Sequence, residues 1–331
     1  MSSAAAILVD QLKKSFRVRT SPARGVRSRL RNLFSPAFHT QQAVNGISFS
    51  IQPGERVAFI GPNGAGKSTT LKMLTGILRP DSGRAEVCGL SPWAQRERLA
   101  YRMGAVFGQR SQLWYHLPTQ DSFDLLSHVY ELPRALYQQR LQALSNSFEL
   151  EELRRKPVRS LSLGERMRCE IAASLLHAPE ILFLDEPSIG LDASAKHTIR
   201  QLLRDRSSND GATLLLTSHD TADIESVCDR VIVIHHGSVL LDEPVRSLKQ
   251  RLNTKRLTLH GDLNDLSVAL PGVSVIERAP LQLTLEIATQ VTPVARVVEH
   301  VLSRANIEDL SVEDPPLEAV VRALYEQEKA S

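Results

Sequence analysis

Arg56-Val57-Ala58-Phe59-Ile60-Gly61-Pro62-Asn63-Gly64-Ala65-Gly66-Lys67-Ser68-Thr69 runs from a buried-strand pattern through a glycine-rich turn into a helical stretch. That stretch reaches Leu78 and stops at Pro80-Asp81-Ser82-Gly83. Residues 61–68 satisfy the pattern G-x-x-x-x-G-K-[ST] in full. The glycines let backbone N–H groups curl around phosphate oxygens, and the following helix N-terminus adds positive potential. Lys67 is placed to reach the β- and γ-phosphates of a nucleotide, and Ser68 to bind Mg2+ through its hydroxyl. Strand, loop and helix in this order predict the core of a phosphate-loop NTPase.

The surrounding chain supports an α/β fold. Ile181–Leu184, Thr213–Leu216 and Val231–Ile234 are continuous apolar strands separated by helical stretches, the pattern of a parallel sheet covered on both faces. The first of them ends in Asp185-Glu186, and ligands of open α/β sheets sit at the carboxyl ends of strands. Asp185 is therefore expected to hold Mg2+, and Glu186 to orient or deprotonate an attacking water. Residues 119–130, 134–148 and 163–177 are helical in pattern and punctuated by Pro118, Pro133 and Pro157, a helical subdomain over about 115–177. Short strands at 6–10 and 48–51 precede the core and predict an antiparallel β-subdomain.

Leu161-Ser162-Leu163-Gly164-Glu165-Arg166 opens the last of those helices. The phosphate loop, Gln109, this signature, Leu184-Asp185-Glu186, Gly190-Leu191-Asp192 and His219 follow in an order and spacing that resembles the nucleotide-binding subunit of ATP-binding cassette (ABC) transporters, over about residues 5–250. The resemblance implies that Phe16 stacks on the adenine of ATP, with packing in the core as its alternative, and that residues 61–69 bind the phosphates. It implies that Ser162 and Gly164 bind the γ-phosphate of ATP held by a second ATPase subunit, so that two chains, expected to be a homodimer, pair head to tail. Gln109 would touch Mg2+ and the attacking water and sense the transporter. His219 would contact the γ-phosphate, and Asp192 would communicate between the two sites. The commonest family signature has Gly and Gln where this chain has Leu163 and Glu165, and threonine where it has Ser188.

Several softer features resemble ATPase subunits of bacterial drug, lipid and polysaccharide exporters: a basic segment before the second strand, Gln109–Trp114, the Leu-Ser-Leu-Gly-Glu-Arg signature, and Pro187–Asp192. The expected partners are integral membrane permease subunits, and the expected place is the cytoplasmic face of the inner membrane. An importer ATPase and a soluble non-transport ABC protein are the alternatives. Trp114 and Tyr115 are candidates for the permease contact, or else for packing between subdomains. Lys13, Lys14, Arg17, Arg19, Arg24, Arg27, Arg29 and Arg31 form a basic insert at about 13–40, and no acidic residue lies between Asp10 and Glu55. It reads as a solvated loop or short amphipathic helix, or as a contact with anionic lipid or the permease. Nucleic acid is not expected.

Composition bounds these readings. With 331 residues the chain suggests about two domains. Hydrophobic residues at 42 % and charged residues at 23 % exclude a disordered or fibrous protein, and a net charge of +3 is too small for wholesale nucleic-acid binding. Three scattered cysteines predict neither a disulfide framework nor a zinc site. No apolar run is long enough to cross a bilayer, so a membrane role is expected to need a partner. From about 253 to 331 the pattern predicts strand (256–260), helix (263–269), strands (272–276, 281–287), helix (293–304), strand (307–312) and helix (315–328), a small α+β module of ferredoxin-like order.

Overall fold

β3 (Arg56–Ile60) has no polar side chain after its first residue, and Val57, Ala58, Phe59 and Ile60 are all buried. A strand buried on both faces needs neighbours on both edges. β3 lies inside a six-stranded sheet ordered β5 (Met103–Phe107), β6 (Ile181–Asp185), β7 (Thr213–Thr217), β3, β8 (Arg230–His235) and β9 (Ser238–Pro244). The ladders from β5 through β8 are parallel, so the carboxyl ends of β3, β6 and β7 open side by side. The computed structural model describes residues 5–19, 38–108, 111–250, 253–263 and 266–315, with Leu317, Ala319, Val320 and Ala323 beyond them. The chain forms two compact units, Met1–Glu243 and Pro244–Ser331.

In the first unit an antiparallel sheet of β2 (Phe38–Ile51), β1 (Ile7–Arg19) and β4 (Ser82–Val87) shares one core with the parallel sheet. Phe49 of β2 meets Phe59 of β3 at 5.6 Å between ring centroids, and α1 (Lys67–Leu74) buries Leu71, Met73 and Leu74 in the same core. Each such side chain contributes about 1.5–3 kcal/mol by leaving water. α1 ends short of Leu78 because Gly76 turns with φ +72°, where a Cβ would stand 2.3 Å from the Pro92 carbonyl oxygen. The basic segment differs from expectation. Lys13, Lys14, Arg17 and Arg19 belong to β1, which pairs with β2 out to Arg19 opposite Phe38, so this stretch is neither loop nor helix. Arg24, Arg27, Arg29 and Arg31 lie outside the described residues.

α2 (Arg96–Ala100) leads into β5, and α3 (Thr119–Val129), α4 (Arg134–Phe148) and α5 (Leu163–Leu175) form the helical subdomain. Its seam with the sheet is aromatic. His177 stacks on Tyr130 at 3.9 Å and 9°, and its Nε2 bonds the Met103 carbonyl at 3.0 Å. Burial pushes this imidazole down to about 4, so it stays neutral in the fold and protonates far more readily when unfolded. The unfolded chain then binds the extra proton, and stability present above about pH 6.5 falls as the pH drops toward 4. The stability of wild type relative to His177→Gln should fall by about 2 kcal/mol between pH 7 and pH 5, measured by denaturant unfolding. Equal slopes for the two proteins would show that His177 does not carry this sensitivity.

The second unit has α8 (Val245–Gln250), β10 (Thr254–Asp262), β11 (Val273–Ala279), β12 (Gln282–Ala288), α9 (Val294–Leu302) and β13 (Asn306–Glu313). Its sheet is antiparallel and ordered β11-β12-β10-β13, as a ferredoxin-like module requires. Val297 and Val301 of α9 close its core over Leu257, Leu259, Leu283 and Leu285. The helix expected at 263–269 does not form at the described residues there. A single local turn is present, with Leu266 N–H donating to the Leu263 carbonyl (3.2 Å), and Arg278 donates to the carbonyls of Leu263 (3.1 Å) and Leu266 (2.7 Å).

Candidate functional site

The phosphate loop is built from close approaches. A Cβ on Gly61 would stand 2.4 Å from the Ile234 carbonyl oxygen, and one on Gly66, at φ +107°, 2.4 Å from that of Ala43. Only glycine fits either position. The loop closes through Ala65 N–H to the Pro62 carbonyl (3.1 Å) and is clasped by Gly237 N–H to the Ala65 carbonyl (3.1 Å). Lys67 is 6 % exposed and donates to the carbonyls of Gly61 (2.7 Å) and Pro62 (3.3 Å), which aims its ammonium back across the loop. Burial lowers its pKa from the ordinary lysine value, while Glu186 and Asp185 oppose the shift.

The acidic pair arrives from β6. Asp185 Oδ1 accepts from Thr217 Oγ1 at 2.7 Å and from Ser68 Oγ at 3.2 Å, so two of the three predicted Mg2+ ligands are brought together. Glu186 turns the chain with φ 54°, a left-handed conformation costing a non-glycine residue about 1 kcal/mol. Its N–H bonds the Thr217 carbonyl (3.0 Å) and hydroxyl (3.1 Å), which hold the turn. His219, just past β7, places Nε2 2.8 Å from Glu186 Oε1 and 3.3 Å from Lys67 Nζ. A proton on Nε2 serves Glu186, and a lone pair there serves Lys67.

Ser162, Gly164 and Asp192 form a second cluster. Ser162 caps α5 in a reciprocal box: Glu165 N–H donates to its hydroxyl (3.2 Å), and Ser162 N–H donates to the Glu165 carboxylate (2.8 Å). That backbone bond is the main cause holding the Glu165 carboxyl below its usual range. Asp192 caps α6 (Ala193–Asp210) by accepting from Ala195 N–H at 2.8 Å. Both helix starts line one cavity of about 370 Å³ with Leu163 and Gly190. A Cβ on Gly164 would stand 2.8 Å from Ala195 Cβ, so glycine keeps the two starts together.

The sequence profile of the ABC transporter family matches residues 44–189. The Nod factor export ATP-binding protein I of Ralstonia nicotianae is 34 % identical over 223 residues, 67 % of this chain and 69 % of that protein. The chain belongs to the ABC transporter ATP-binding family. The linearmycin resistance ATP-binding protein LnrL of Bacillus subtilis is 29 % identical over 291 residues, 85 % of this chain and 93 % of that one. The fold matches the dimeric, post-hydrolysis structure of the ATP-binding cassette MJ0796 bound to ADP and Pi, with TM-score 0.60 and 24 % identity over 72 % of this chain and 99 % of that one. The protein is thus an ATP-binding, ATP-hydrolysing cassette.

Within this ABC ATPase, Phe16 is 39 % exposed and is not a core residue. It pairs with Gln41 of β2, two residues before the Ala43 carbonyl that touches the phosphate loop. Gln109 lies outside the described residues. Trp114 and Tyr115 are 41 % and 53 % exposed, so each presents a large part of its ring at the surface. Two residues escaped the sequence reading. Thr217 is fully buried and bonds both acidic residues, and its signal was a hydroxyl at the carboxyl end of a strand with an apolar centre. Glu170, buried on α5, accepts from Ser111 Oγ and from Gln112 N–H (3.1 Å), tying the segment after Gln109 to the signature helix. Burial raises its carboxyl above the usual range against those hydrogen bonds.

Proposed function

We propose that two copies of this ABC ATPase close head to tail over two ATP molecules, and that closure and reopening drive export through separate membrane permease subunits. The observation that carries this reading is the division of the ATP-site residues into two half-sites. One chain offers Lys67, Asp185, Glu186 and His219 around the phosphate loop, and elsewhere the open start of α5 with Ser162 and Gly164. A helix N-terminus suits an anion, and pairing two chains brings each signature to the other's nucleotide. The dimeric cassette that shares this fold supports the arrangement. In this reading Phe16 stacks on adenine, residues 61–69 hold the phosphates, and Asp192 links the two sites across the interface.

Glu186 accepts the proton of the attacking water, and His219 holds that carboxylate in place through Nε2. Ser68 and Asp185 offer two hard oxygen ligands side by side, the few protein donors that Mg2+ takes beside phosphates and waters. When bound, Mg2+ neutralises phosphate charge and fixes its geometry. Gln109 would complete that shell and report permease contact. Lys67 loses its bonds to the loop carbonyls as it turns to the β- and γ-phosphates. The cycle is a population shift, since ATP binds the closed pair better than the open one.

Export is favoured over import by the names of the Ralstonia and Bacillus relatives, an export protein and a resistance protein. Among the described residues no helix is long and apolar enough to cross a membrane, which fits a peripheral subunit on the cytoplasmic face. Exposed Trp114, Tyr115 and Leu117 suit a permease contact. The sequence boundaries assign 5–250 to the nucleotide-binding domain and 253–331 to an accessory domain, whereas the compact units divide earlier, between Glu243 and Pro244, and place α8 with the accessory domain. Purification from native membranes in mild detergent tests it: a polytopic subunit without a periplasmic binding protein is expected, and a binding protein in the complex would turn the reading to import. The basic segment is proposed to touch anionic lipid. Replacing Arg24, Arg27, Arg29 and Arg31 should then cut binding to anionic liposomes by about two to three orders of magnitude at low salt, and unchanged binding would remove that role.

A further inference from the structure

Asp223 has no assigned part in the site, yet it is a 3 % exposed carboxylate that gathers donors from three directions. Its Oδ2 accepts from Ser188 Oγ and from Ser218 Oγ (2.7 Å), and its Oδ1 accepts from Arg200 Nε (2.6 Å). Ser188 lies two residues past Glu186, and Ser218 adjoins His219. Arg200 is two turns along the helix that Asp192 caps, and its other nitrogen reaches Asp220 Oδ2 at 3.0 Å. Asp223 itself sits in the first turn of α7 (Thr221–Val227).

We infer that Asp223 is a positioning residue for hydrolysis, which fixes the turn carrying Glu186 against the turn carrying His219 and ties both to the helix that begins at Asp192. A buried carboxylate with charged and hydroxyl donors is costly to disturb and rigid when satisfied. The Glu186 turn needs such support, because its left-handed backbone persists only where its surroundings hold it. The same contact explains Ser188: a hydroxyl is required at that position, whether serine or threonine supplies it. It also gives Asp192 a physical route to its own chain's reacting groups, through Arg200. The inference rests on the assignment of Glu186 and His219 to hydrolysis.

The test uses the full chain, with ATP hydrolysis, ATP affinity, melting temperature and the His219 ring signal in histidine-labelled protein, assigned by its loss in His219→Gln. Asp223→Asn should lower kcat about tenfold or more, with KM for ATP within about twofold, and should shift the His219 signal. Ser188→Ala, which keeps the charge pair intact, should show a smaller loss of the same kind, and Ser188→Thr should restore kcat. Asp229→Asn, at the exposed pair with Arg56, is the control and should leave all readouts in place. If Ser188→Ala keeps wild-type kcat and an unmoved His219 signal, or if Asp223→Asn acts only through the melting temperature, Asp223 merely supports the fold. Glu186→Gln in the same assay separates the two levels: normal turnover there overturns the assignment beneath, and an inactive Glu186→Gln beside a normal Asp223→Asn overturns this inference alone.

Discussion

Glu186→Gln is expected to bind ATP as tightly as wild type and to lose turnover by about 100-fold or more, the contribution of a well-placed general base. The side chains are isosteric, so the turn held by Thr217 and the contact with His219 persist in form. What disappears is the proton acceptor. With hydrolysis blocked and binding kept, the closed pair should accumulate, and light scattering with ATP should show a species of twice the mass. Steady-state hydrolysis at the ordinary rate would remove Glu186 from the role of base. Closure without a change in turnover would separate dimerisation from chemistry.

Gly164→Asp addresses the other half-site. An aspartate in the first turn of α5 favours the helix electrostatically, so the Ser162–Glu165 box and the fold are expected to survive. The same carboxylate places a fixed anion where the partner's γ-phosphate would sit, and its Cβ presses on Ala195. ATP binding by each separate chain should therefore stay near wild type, while hydrolysis falls by about 100-fold, the scale seen when preorganised donors to a phosphate or oxyanion are lost. In the Glu186→Gln background the ATP-dependent pair should no longer form. A double variant that still pairs with ATP would show that the α5 start takes no part in the interface.

Much of the site was legible because its chemistry is carried by residues close together in the chain. Gly61, Gly66, Lys67 and Ser68 lie within one turn, and Asp185 and Glu186 end one strand, so local pattern located them. The ferredoxin-like order of the last strands was legible for the same reason, through alternation and turn residues. Residues whose role depends on partners far along the chain were not legible. Glu170 looks like one more charge on a helix until Ser111 and Gln112 arrive from 59 and 58 residues away. The turn at Leu263 and Leu266 in place of a helix over 263–269 is the same lesson, since Arg278, 15 residues from Leu263, binds both carbonyls from outside the segment.

Sequence by itself determined the phosphate loop, the acidic strand end, the start of the signature helix and the α/β class, because each depends on backbone geometry or periodicity within a few residues. Tertiary structure alone decided that β1 continues through the basic residues as far as Arg19, that Phe16 stands exposed opposite Gln41 of β2, and that Asp223 joins Ser188, Ser218 and Arg200. The physical reason is common to all three. Strand length, exposure and the satisfaction of a buried charge are settled by what packs alongside, and those neighbours come from distant parts of the chain.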